Sequence, residues 1–247
     1  MTHPLTDLLL AHRSSGVLLD SLPDDLVPKD AATAYLVQTE TVQALGPAGA
    51  WKVQPYPQSG EPFTSPILSS TVYRSGAALK LADYAGIALE AEIAVTVGRD
   101  LPAKPGGYTS AELRDAVASL HLAIEIVASR FLDRTKMPSL VGIADLQNSG
   151  AIIVGAATPA DIWPELGQQQ IAMVFDGVEV QSTAGNGTTE NTLSSLAWLA
   201  THAAARGLPL KLGDVIITGA RLGPLAFNGR TASVTGQAFA PVSCTFS

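Results

Sequence analysis

The sequence predicts an α+β fold, in which a helical N-terminal region precedes a longer part made mostly of strands. Two observations predict this fold. Apolar residues recur at helical spacing over residues 5–16 and 31–45. From residue 50 onward the pattern changes to short apolar runs separated by proline and glycine, which is typical of strands. The length of 247 residues suits one large β-rich domain with a modest N-terminal addition.

The predicted strands follow one another at short intervals from residue 50 to residue 219. The apolar runs that predict them are AWKV (50–53), SPILSSTVY (65–73), IALEAEIAVTVG (87–98), LHLAIEIVAS (120–129), AIIVGA (151–156), IAMVFDGVEV (171–180) and DVIITG (214–219). Two predicted helices interrupt them, one over 110–120 with Ser110 as its N-cap and one over 192–207 that stops at Gly207. Each predicted helix leads into a strand.

Composition and charge exclude several classes of function. The net charge of −7 and the lack of a Lys/Arg cluster argue against nucleic-acid binding. No apolar run reaches the roughly 18 residues that span a bilayer, so we expect no membrane segment and a cytoplasmic location. The single cysteine, Cys244, excludes a disulfide framework and is interpreted as a small strand residue. A content of 47% hydrophobic residues favours association of subunits, most simply a homo-oligomer.

Three glutamates lie within apolar strand patterns. Side chains alternate along a strand, so Glu90 and Glu92 share one face while the apolar residues between and after them share the other. The same alternation places Glu125 opposite Leu122 and Ile124. Carboxylates that lie side by side in an apolar setting repel one another or take up protons unless a cation lies between them. Oxygen ligands favour a hard divalent ion, Mg²⁺ or Mn²⁺, with positions left open for a chelating 2-oxo acid.

Spacing alone leaves an alternative for these carboxylates. Glu90 and Glu92 can line the solvated face of an edge strand, with Glu125 paired to Arg130 or another basic residue. Lys52, in the first strand, either neutralises a substrate carboxylate, moves protons if burial lowers its pKa, or simply points to water. His121 is expected to be a packed or capping residue.

The order of these motifs resembles the 2-keto-4-pentenoate hydratase and 4-oxalocrotonate decarboxylase family, which belongs to the fumarylacetoacetate hydrolase superfamily. The resemblance covers nearly the whole chain. It is carried by Lys52, Glu90-Ala-Glu92-Ile-Ala, Gly98-Arg99-Asp100-Leu101-Pro102, Ala123 to Arg130, Ala144-Asp145, Ser149 to Gly155, Leu196 to Ala200, Leu212 to Ala220 and Val242 to Ser247.

The resemblance implies a fold, a metal and a set of site residues. The implied fold is a mixed β-sheet roll over residues 71–247, preceded by a small N-terminal helical α/β region over 1–70. By position, the metal ligands for Mg²⁺ or Mn²⁺ are Glu90, Glu92 and Glu125. Lys52 and Glu90 are the implied catalytic residues, and the implied substrate-binding residues are Lys52, Asn148, Ser149 and Thr218.

The chain departs in four segments from what hydratases of this type usually carry. An Asp is replaced by Ser70, and the usual Ala-Asp-Asn-Ala-Ser reads Ala144-Asp145-Leu146-Gln147-Asn148. The usual Gly-His-Pro ahead of the Trp-Leu-Ala helix reads Glu190-Asn191-Thr192. The loop after Lys52, over residues 54–62, is also short. These departures fall where the resemblance places substrate contacts and the mouth of the site.

The resemblance implies a metal-dependent hydratase-like lyase that acts on a small 2-oxo or 2-hydroxydienoic acid in aromatic or related catabolism. Two alternatives stay open. One keeps the metal site but changes the reaction to decarboxylation, C–C hydrolysis or tautomerisation. The other is a non-catalytic partner subunit in a complex with a related decarboxylase or hydratase.

Overall fold

A computed structural model describes residues 2–160, 163, 165–184 and 187–247. Helices make up a minor part of this region, and several short 3₁₀ turns connect them to the strands. The α-helices are α1 (Pro4–Ser15), α2 (Ala31–Leu45), α3 (Ser110–Ala116), α4 (Ser139–Ala144) and α5 (Thr189–Ala205). The two N-terminal helices confirm the apolar periodicity read over residues 5–16 and 31–45.

The strands form two mixed sheets, which confirms the predicted fold class. The strands are β1 (Ala48–Val53), β2 (Thr64–Leu68), β3 (Val72–Arg74), β4 (Ala77–Leu79), β5 (Ala88–Val97), β6 (Val117–Val127), β7 (Ser149–Val154), β8 (Thr158–Pro159), β9 (Ile171–Phe175), β10 (Val178–Thr183), β11 (Val215–Ala226), β12 (Thr231–Gly236) and β13 (Val242–Phe246). The larger sheet has the order β2-β1-β11-β5-β6-β7-β3, with β8 paired to β6. The smaller sheet has the order β10-β9-β12-β13-β4.

The main core lies between the two sheets. Strands β5 and β6 are the longest antiparallel pair near the centre of the larger sheet, and one face of each carries only apolar side chains. Ile93 and Ile124 on this face belong to the same buried cluster as Met173 and Val234 of the smaller sheet. Because alternate residues point to opposite faces, the glutamates of β5 and β6 point away from the smaller sheet.

Helices α1, α2 and α4 pack against one another beside strand β2 of the larger sheet. Leu5, Val37 and Val141 form a second buried cluster there. Gln38 of α2 is fully buried, and its amide donates to the carbonyl oxygens of Thr64 and Ile143, at 3.0 and 2.7 Å. Two strands from residues 1–70, β1 and β2, are part of this sheet, and the division at residue 70 stays a prediction.

Two details of the predicted helices were wrong. The N-cap of α3 is Thr109, not Ser110, because Thr109 and Glu112 form a reciprocal capping box. The helix also ends at Ala116, since Val117 already belongs to β6 and pairs with Val97. The stop at Gly207 is confirmed: this glycine adopts a φ of +76° directly after the C-cap of α5.

The run 171–180 is a hairpin rather than one strand, because Asp176 and Gly177 both adopt positive φ and turn the chain between β9 and β10. Cys244 is buried in β13, as predicted. Among the described residues, no helix combines the length and apolar character needed to cross a membrane.

Candidate metal centre

The three glutamates meet on one face of the larger sheet. Glu90 of β5 is directly opposite Glu125 of β6, and Glu92 lies two residues further along β5 on the same face. One carboxylate oxygen from each residue lies within 4.8 Å of the others. Glu92 and Glu125 are buried, at 2% and 0% exposure, so the alternative of a solvated edge strand is wrong.

The carboxylates of the triad form few hydrogen bonds. Glu92 Oε2 and Glu125 Oε2 are buried and have no hydrogen-bond partner within the part of the chain that the structure describes. Burial and the charge of Glu125 raise the pKa of Glu90 to about 7 and raise the pKa of Glu92 well above its ordinary value. A buried polar atom without a partner costs free energy, so the arrangement calls for a cation. The triad could therefore bind a divalent metal.

Lys52 of β1 reaches the same face. Its Nζ donates to Glu125 Oε1 and to the carbonyl oxygen of Gln147, the latter at 3.2 Å. Burial lowers the pKa of Lys52, but the charges of Glu125 and Glu90 outweigh burial and raise it overall. The ammonium of Lys52 therefore stays protonated in the metal-free protein. Glu125 thus pairs with Lys52 rather than Arg130, which agrees with the part of the alternative interpretation that paired it with a basic residue.

A cavity of about 400 Å³ opens over the three glutamates and Lys52. Its walls come from three further segments: the loop after β1, the segment that leads through α4, and the bulge of β11. These wall residues include Pro55, Phe63, Arg134, Met137, Ser139, Gly142, Gln147, Asn148, Gly219 and Ala220. The cavity joins polar groups at its floor to a partly apolar mouth, as small-molecule sites commonly do.

A left-handed turn forms one wall of the cavity. Leu146, Gln147 and Asn148 have φ values of 52°, 50° and 58°, an arrangement that non-glycine residues rarely adopt. Leu146 is buried against Val42 and Leu68, which anchors the turn. The turn directs the Gln147 carbonyl at Lys52 and places Asn148 in the cavity wall, and substrate binding by Asn148 stays a prediction. Such strained conformations cluster at functional sites.

Asp145 holds the start of this turn. Its Oδ1 accepts from Arg130 Nε at 2.7 Å and from Arg13 Nη2 at 3.2 Å, and its Oδ2 accepts from the Arg130 backbone at 3.1 Å. Burial and the charge of Arg130 lower the pKa of Arg13 to about 10. We call these three residues the arginine–aspartate cluster. It links α1, the end of β6 and the left-handed turn.

Two residues expected to bind substrate lie outside the cavity wall. Ser149 is buried at the start of β7. Thr218 is 1% exposed, and its hydroxyl donates to the Ile93 carbonyl at 2.7 Å, within the bulge of β11. Its neighbours Gly219 and Ala220 line the cavity instead. His121 is a packed residue, as expected, and its Nδ1 lies 3.0 Å from the Gly155 carbonyl.

Two of the unusual sequence features contact each other. Asn191 of α5 accepts from the backbone N–H of Tyr56 and donates to the Tyr56 carbonyl, both at 2.9 Å. Tyr56 belongs to the short loop after β1. The neighbouring Pro55 lies against Gly219, where a Cβ would come within 2.6 Å of the proline ring. Asn191 thus fastens the loop at the mouth of the cavity.

Ser70, another unusual position, is exposed and lines a different cavity, next to Arg13 and Arg130. Sequence reasoning missed Arg134 and Gln147 as cavity residues. The charged run Asp133 to Lys136, shortly after Ser129-Arg130, was the available signal for Arg134. No local pattern pointed to Gln147, because its position depends on the left-handed turn.

A match between the sequence and a family model assigns this chain to a family. The model of the fumarylacetoacetate (FAA) hydrolase C-terminal family matches residues 34–240, which contain all three glutamates and Lys52. The chain belongs to this family. A 2-keto-4-pentenoate hydratase of Burkholderia vietnamiensis is 30% identical over 224 residues, which cover 86% of this chain and 84% of that protein.

One further relative agrees with this membership, and one solved structure has a similar fold. A TodF product hydratase of Pseudomonas putida is 30% identical over 232 residues, covering 89% of this chain and 84% of that protein. The fold is similar to a solved structure of 4-oxalocrotonate decarboxylase from Pseudomonas putida G7, complexed with magnesium and adipate. That structure has a TM-score of 0.86 at 21% identity and covers 98% of this chain and 96% of the other. The family and its hydratase relatives support an enzyme.

Proposed function

We propose that this protein is a divalent-metal-dependent, hydratase-like lyase that acts on a small 2-oxo or 2-hydroxydienoic acid. The observation that carries the proposal is the buried glutamate triad at the floor of a cavity, with two carboxylate oxygens lacking partners among the described residues. The names of the hydratase relatives support the reaction class. The lyase reaction is the addition of water to a carbon–carbon double bond or its removal.

Glu90, Glu92 and Glu125 would hold the metal, which we propose to be Mg²⁺ or Mn²⁺. All three donors are carboxylate oxygens, the ligand type that hard cations prefer, and three protein ligands leave positions for a chelating substrate. A magnesium ion in the related decarboxylase structure supports this choice. A bound divalent ion supplies Lewis-acid polarisation of the keto oxygen of the substrate.

The residues around the triad have separate tasks in this proposal. Lys52 keeps its proton and donates hydrogen bonds to the substrate carboxylate, while Glu125 and the Gln147 carbonyl fix the position of its Nζ. Glu90, the least buried carboxylate of the triad, would bind the metal in its ionised form, so the proton that it holds in the metal-free protein with a pKa of about 7 leaves when the metal binds. The loop held by Asn191 shields the mouth from water.

The proposal can be tested with a panel of 2-hydroxydienoic and 2-oxo acids. The metal-stripped protein is assayed with and without Mg²⁺ or Mn²⁺ for hydration, carbon dioxide release and carbon–carbon cleavage. Metal-dependent loss of the conjugated double bonds without carbon dioxide release is the expected result. Carbon dioxide release or cleavage would assign another reaction to the same site. Inactivity toward the whole panel, together with co-purification with an active relative, would instead support a partner subunit.

The homo-oligomer and the complex with a related decarboxylase or hydratase stay predictions, as does the cytoplasmic location. Exposed apolar side chains support association, among them Leu132 at 67%, Val178 at 64% and Leu212 at 67% exposure. A molar mass measured by light scattering on the purified protein would test the homo-oligomer.

A further inference from the structure

A second cavity, of about 320 Å³, borders the arginine–aspartate cluster. Its walls come from α1, the turn after β2, the segment before β5 and the chain just after β6. Arg13 and Arg130 both line this cavity, and none of its wall residues lines the cavity over the glutamate triad. We call it the arginine cavity. Its volume falls within the range of small-molecule sites.

The two guanidinium groups of the arginine cavity keep unused hydrogen-bond donors. They lie beside each other, because Arg13 Nη2 and Arg130 Nε bind the same oxygen of Asp145, at 3.2 and 2.7 Å. Arg130 Nη2 donates to the Ala128 carbonyl. Arg13 Nε, Arg13 Nη1 and Arg130 Nη1 donate to no residue within the part of the chain that the structure describes. These nitrogens are therefore available to a ligand.

The charges of the cluster do not cancel. Asp145 supplies one negative charge to two guanidinium groups, and Arg130 is buried. Burial and the charge of Arg130 lower the pKa of Arg13 to about 10, so Arg13 is still protonated at neutral pH. Asp83, another residue of the cavity wall, is exposed and pairs with neither arginine. Two adjacent like charges cost free energy, which an anion in the cavity would offset.

The rest of the wall indicates what kind of anion fits. Leu18, Leu45 and Leu68 line the cavity, and Leu45 is 40% exposed. Guanidinium groups match the geometry of a carboxylate, and the leucines offer an apolar surface to the remainder of a ligand. Inorganic phosphate would leave that surface uncovered. The wall therefore favours an organic acid that joins one carboxylate to a short apolar body.

We propose that the arginine cavity is a binding site for a small organic acid, whose carboxylate is bound by Arg13 and Arg130 and whose apolar body packs against the leucines. The site is separate from the glutamate triad and does not rest on the proposed function. Its ligand contacts the same arginines that hold Asp145 at the start of the left-handed turn.

The test uses benzoate as the probe, since it carries one carboxylate on an apolar ring. Benzamide has nearly the same shape without the charge, and inorganic phosphate has charge without an apolar body. Their affinities for the full chain are measured by isothermal titration at pH 8, where benzoate is ionised and Arg13 is protonated. No divalent metal is added, so benzoate cannot chelate at the glutamate triad.

Two pairs of variants locate the site. S70D adds a carboxylate to the cavity wall next to the arginines, and S70N adds a side chain of nearly equal size without the charge. Ser70 is exposed, so both variants should fold. R13Q removes one of the two guanidinium groups, and R230Q removes an exposed guanidinium just before β12, outside the cavity. Cooperative urea unfolding shows that each variant is folded.

We expect the unchanged protein to bind benzoate at least about 10-fold more tightly than benzamide or phosphate, the size of a charge-assisted contact. S70D should weaken benzoate binding by at least about 10-fold, because its own carboxylate occupies the arginines, and R13Q should weaken it by a similar factor. S70N and R230Q should stay within about threefold of the unchanged protein.

Absence of benzoate binding by the unchanged protein would overturn the inference, and so would equal effects of S70D and S70N. Benzamide binding as tightly as benzoate would exclude a role for the arginines, and phosphate binding as tightly would exclude the organic acid. Each of these results leaves the proposed metal site intact, because the two cavities share no wall residue.

Discussion

Two buried ionic clusters lie on either side of the left-handed turn, and they differ in how completely their polar atoms are paired. In the arginine–aspartate cluster, both oxygens of Asp145 accept hydrogen bonds, and two guanidinium groups share its charge. In the glutamate triad, three carboxylates share the ammonium of Lys52, and two of their oxygens have no partner among the described residues. Both clusters are buried, so burial alone does not distinguish them.

The difference separates a structural role from a functional one. A paired cluster contributes to stability chiefly because breaking it leaves an uncompensated buried charge. An unpaired cluster costs stability in the metal-free protein, and a bound cation would complete it. The two clusters should therefore respond in opposite directions to removal of a charge.

The largest expected effect is on metal affinity. Replacing Glu125 by glutamine removes one of three charged ligands, so the affinity for Mg²⁺ should fall by at least about 1000-fold, because affinity for hard cations follows ligand charge. Turnover should be lost with it. The control is E179Q, which changes an exposed strand glutamate on β10. Normal Mg²⁺ binding and turnover by E125Q would contradict the assignment of the triad as the metal site.

The next effect is on stability, measured by urea unfolding of the metal-free protein at pH 8. D145N should lower the free energy of unfolding by about 3 kcal/mol, because it leaves the buried guanidinium of Arg130 and the partly buried guanidinium of Arg13 without their counter-charge. E92Q should raise it, on the order of 1 kcal/mol, because it relieves repulsion within the triad. A destabilising effect of similar size in both variants would contradict the distinction between the clusters.

A smaller effect is the pH dependence of metal binding. Burial and Glu125 raise the pKa of Glu90 to about 7, above the ordinary value of 4.5. A raised carboxyl pKa stabilises the metal-free fold at low pH, and this stabilisation is lost as the pH rises from 4.5 to about 7. Metal requires the ionised form, so its affinity changes in the opposite direction.

Between pH 6 and pH 8, ionisation of Glu90 alone should therefore raise the affinity for Mg²⁺ by about 10-fold. Protons should be released when the metal binds. Titrations in buffers of different ionisation enthalpy measure both quantities. An affinity independent of pH over this range would show that the carboxylates are already ionised in the metal-free protein.

The smallest effect concerns the loop over the cavity. N191A removes both hydrogen bonds to Tyr56, so the loop should loosen and the KM for the substrate rise by about threefold to 10-fold. The kcat should change less, since Asn191 does not line the cavity. S194A is the matched control, because Ser194 lies on the same helix and lines the same surface groove as Asn191 and Tyr56. An unchanged KM would show that the two hydrogen bonds between Asn191 and Tyr56 do not affect substrate binding.

The sequence predicted those features that depend on local periodicity. The shared face of Glu90 and Glu92 follows from strand alternation, and the two N-terminal helices follow from apolar spacing. The pairing of Glu90 with Glu125 depends on strand register, which local patterns leave open. Local patterns also missed the hairpin at Asp176-Gly177, because one continuous apolar run spans both of its strands.

The cavity walls were harder to predict because they depend on tertiary contacts. Leu146 and Gln147 have no intrinsic preference for left-handed backbone, and the packing of Leu146 with the pairing of Asp145 fixes the turn. The contact of Asn191 with Tyr56 joins residues 135 positions apart. The sequence marked the turn at Leu146-Gln147 and the position of Asn191 only as departures from a family pattern. Their roles depend on tertiary contacts that the sequence does not show.

The central claim is that the glutamate triad is an open chelation site. Isothermal titration of Mg²⁺ and Mn²⁺ into the metal-stripped protein, with and without oxalate as a planar mimic of an enolised 2-oxo acid, tests it most directly. We predict one metal ion per chain, bound more tightly when oxalate is present because the two ligands share the site. Absence of metal binding at pH 8, with or without oxalate, would contradict the account.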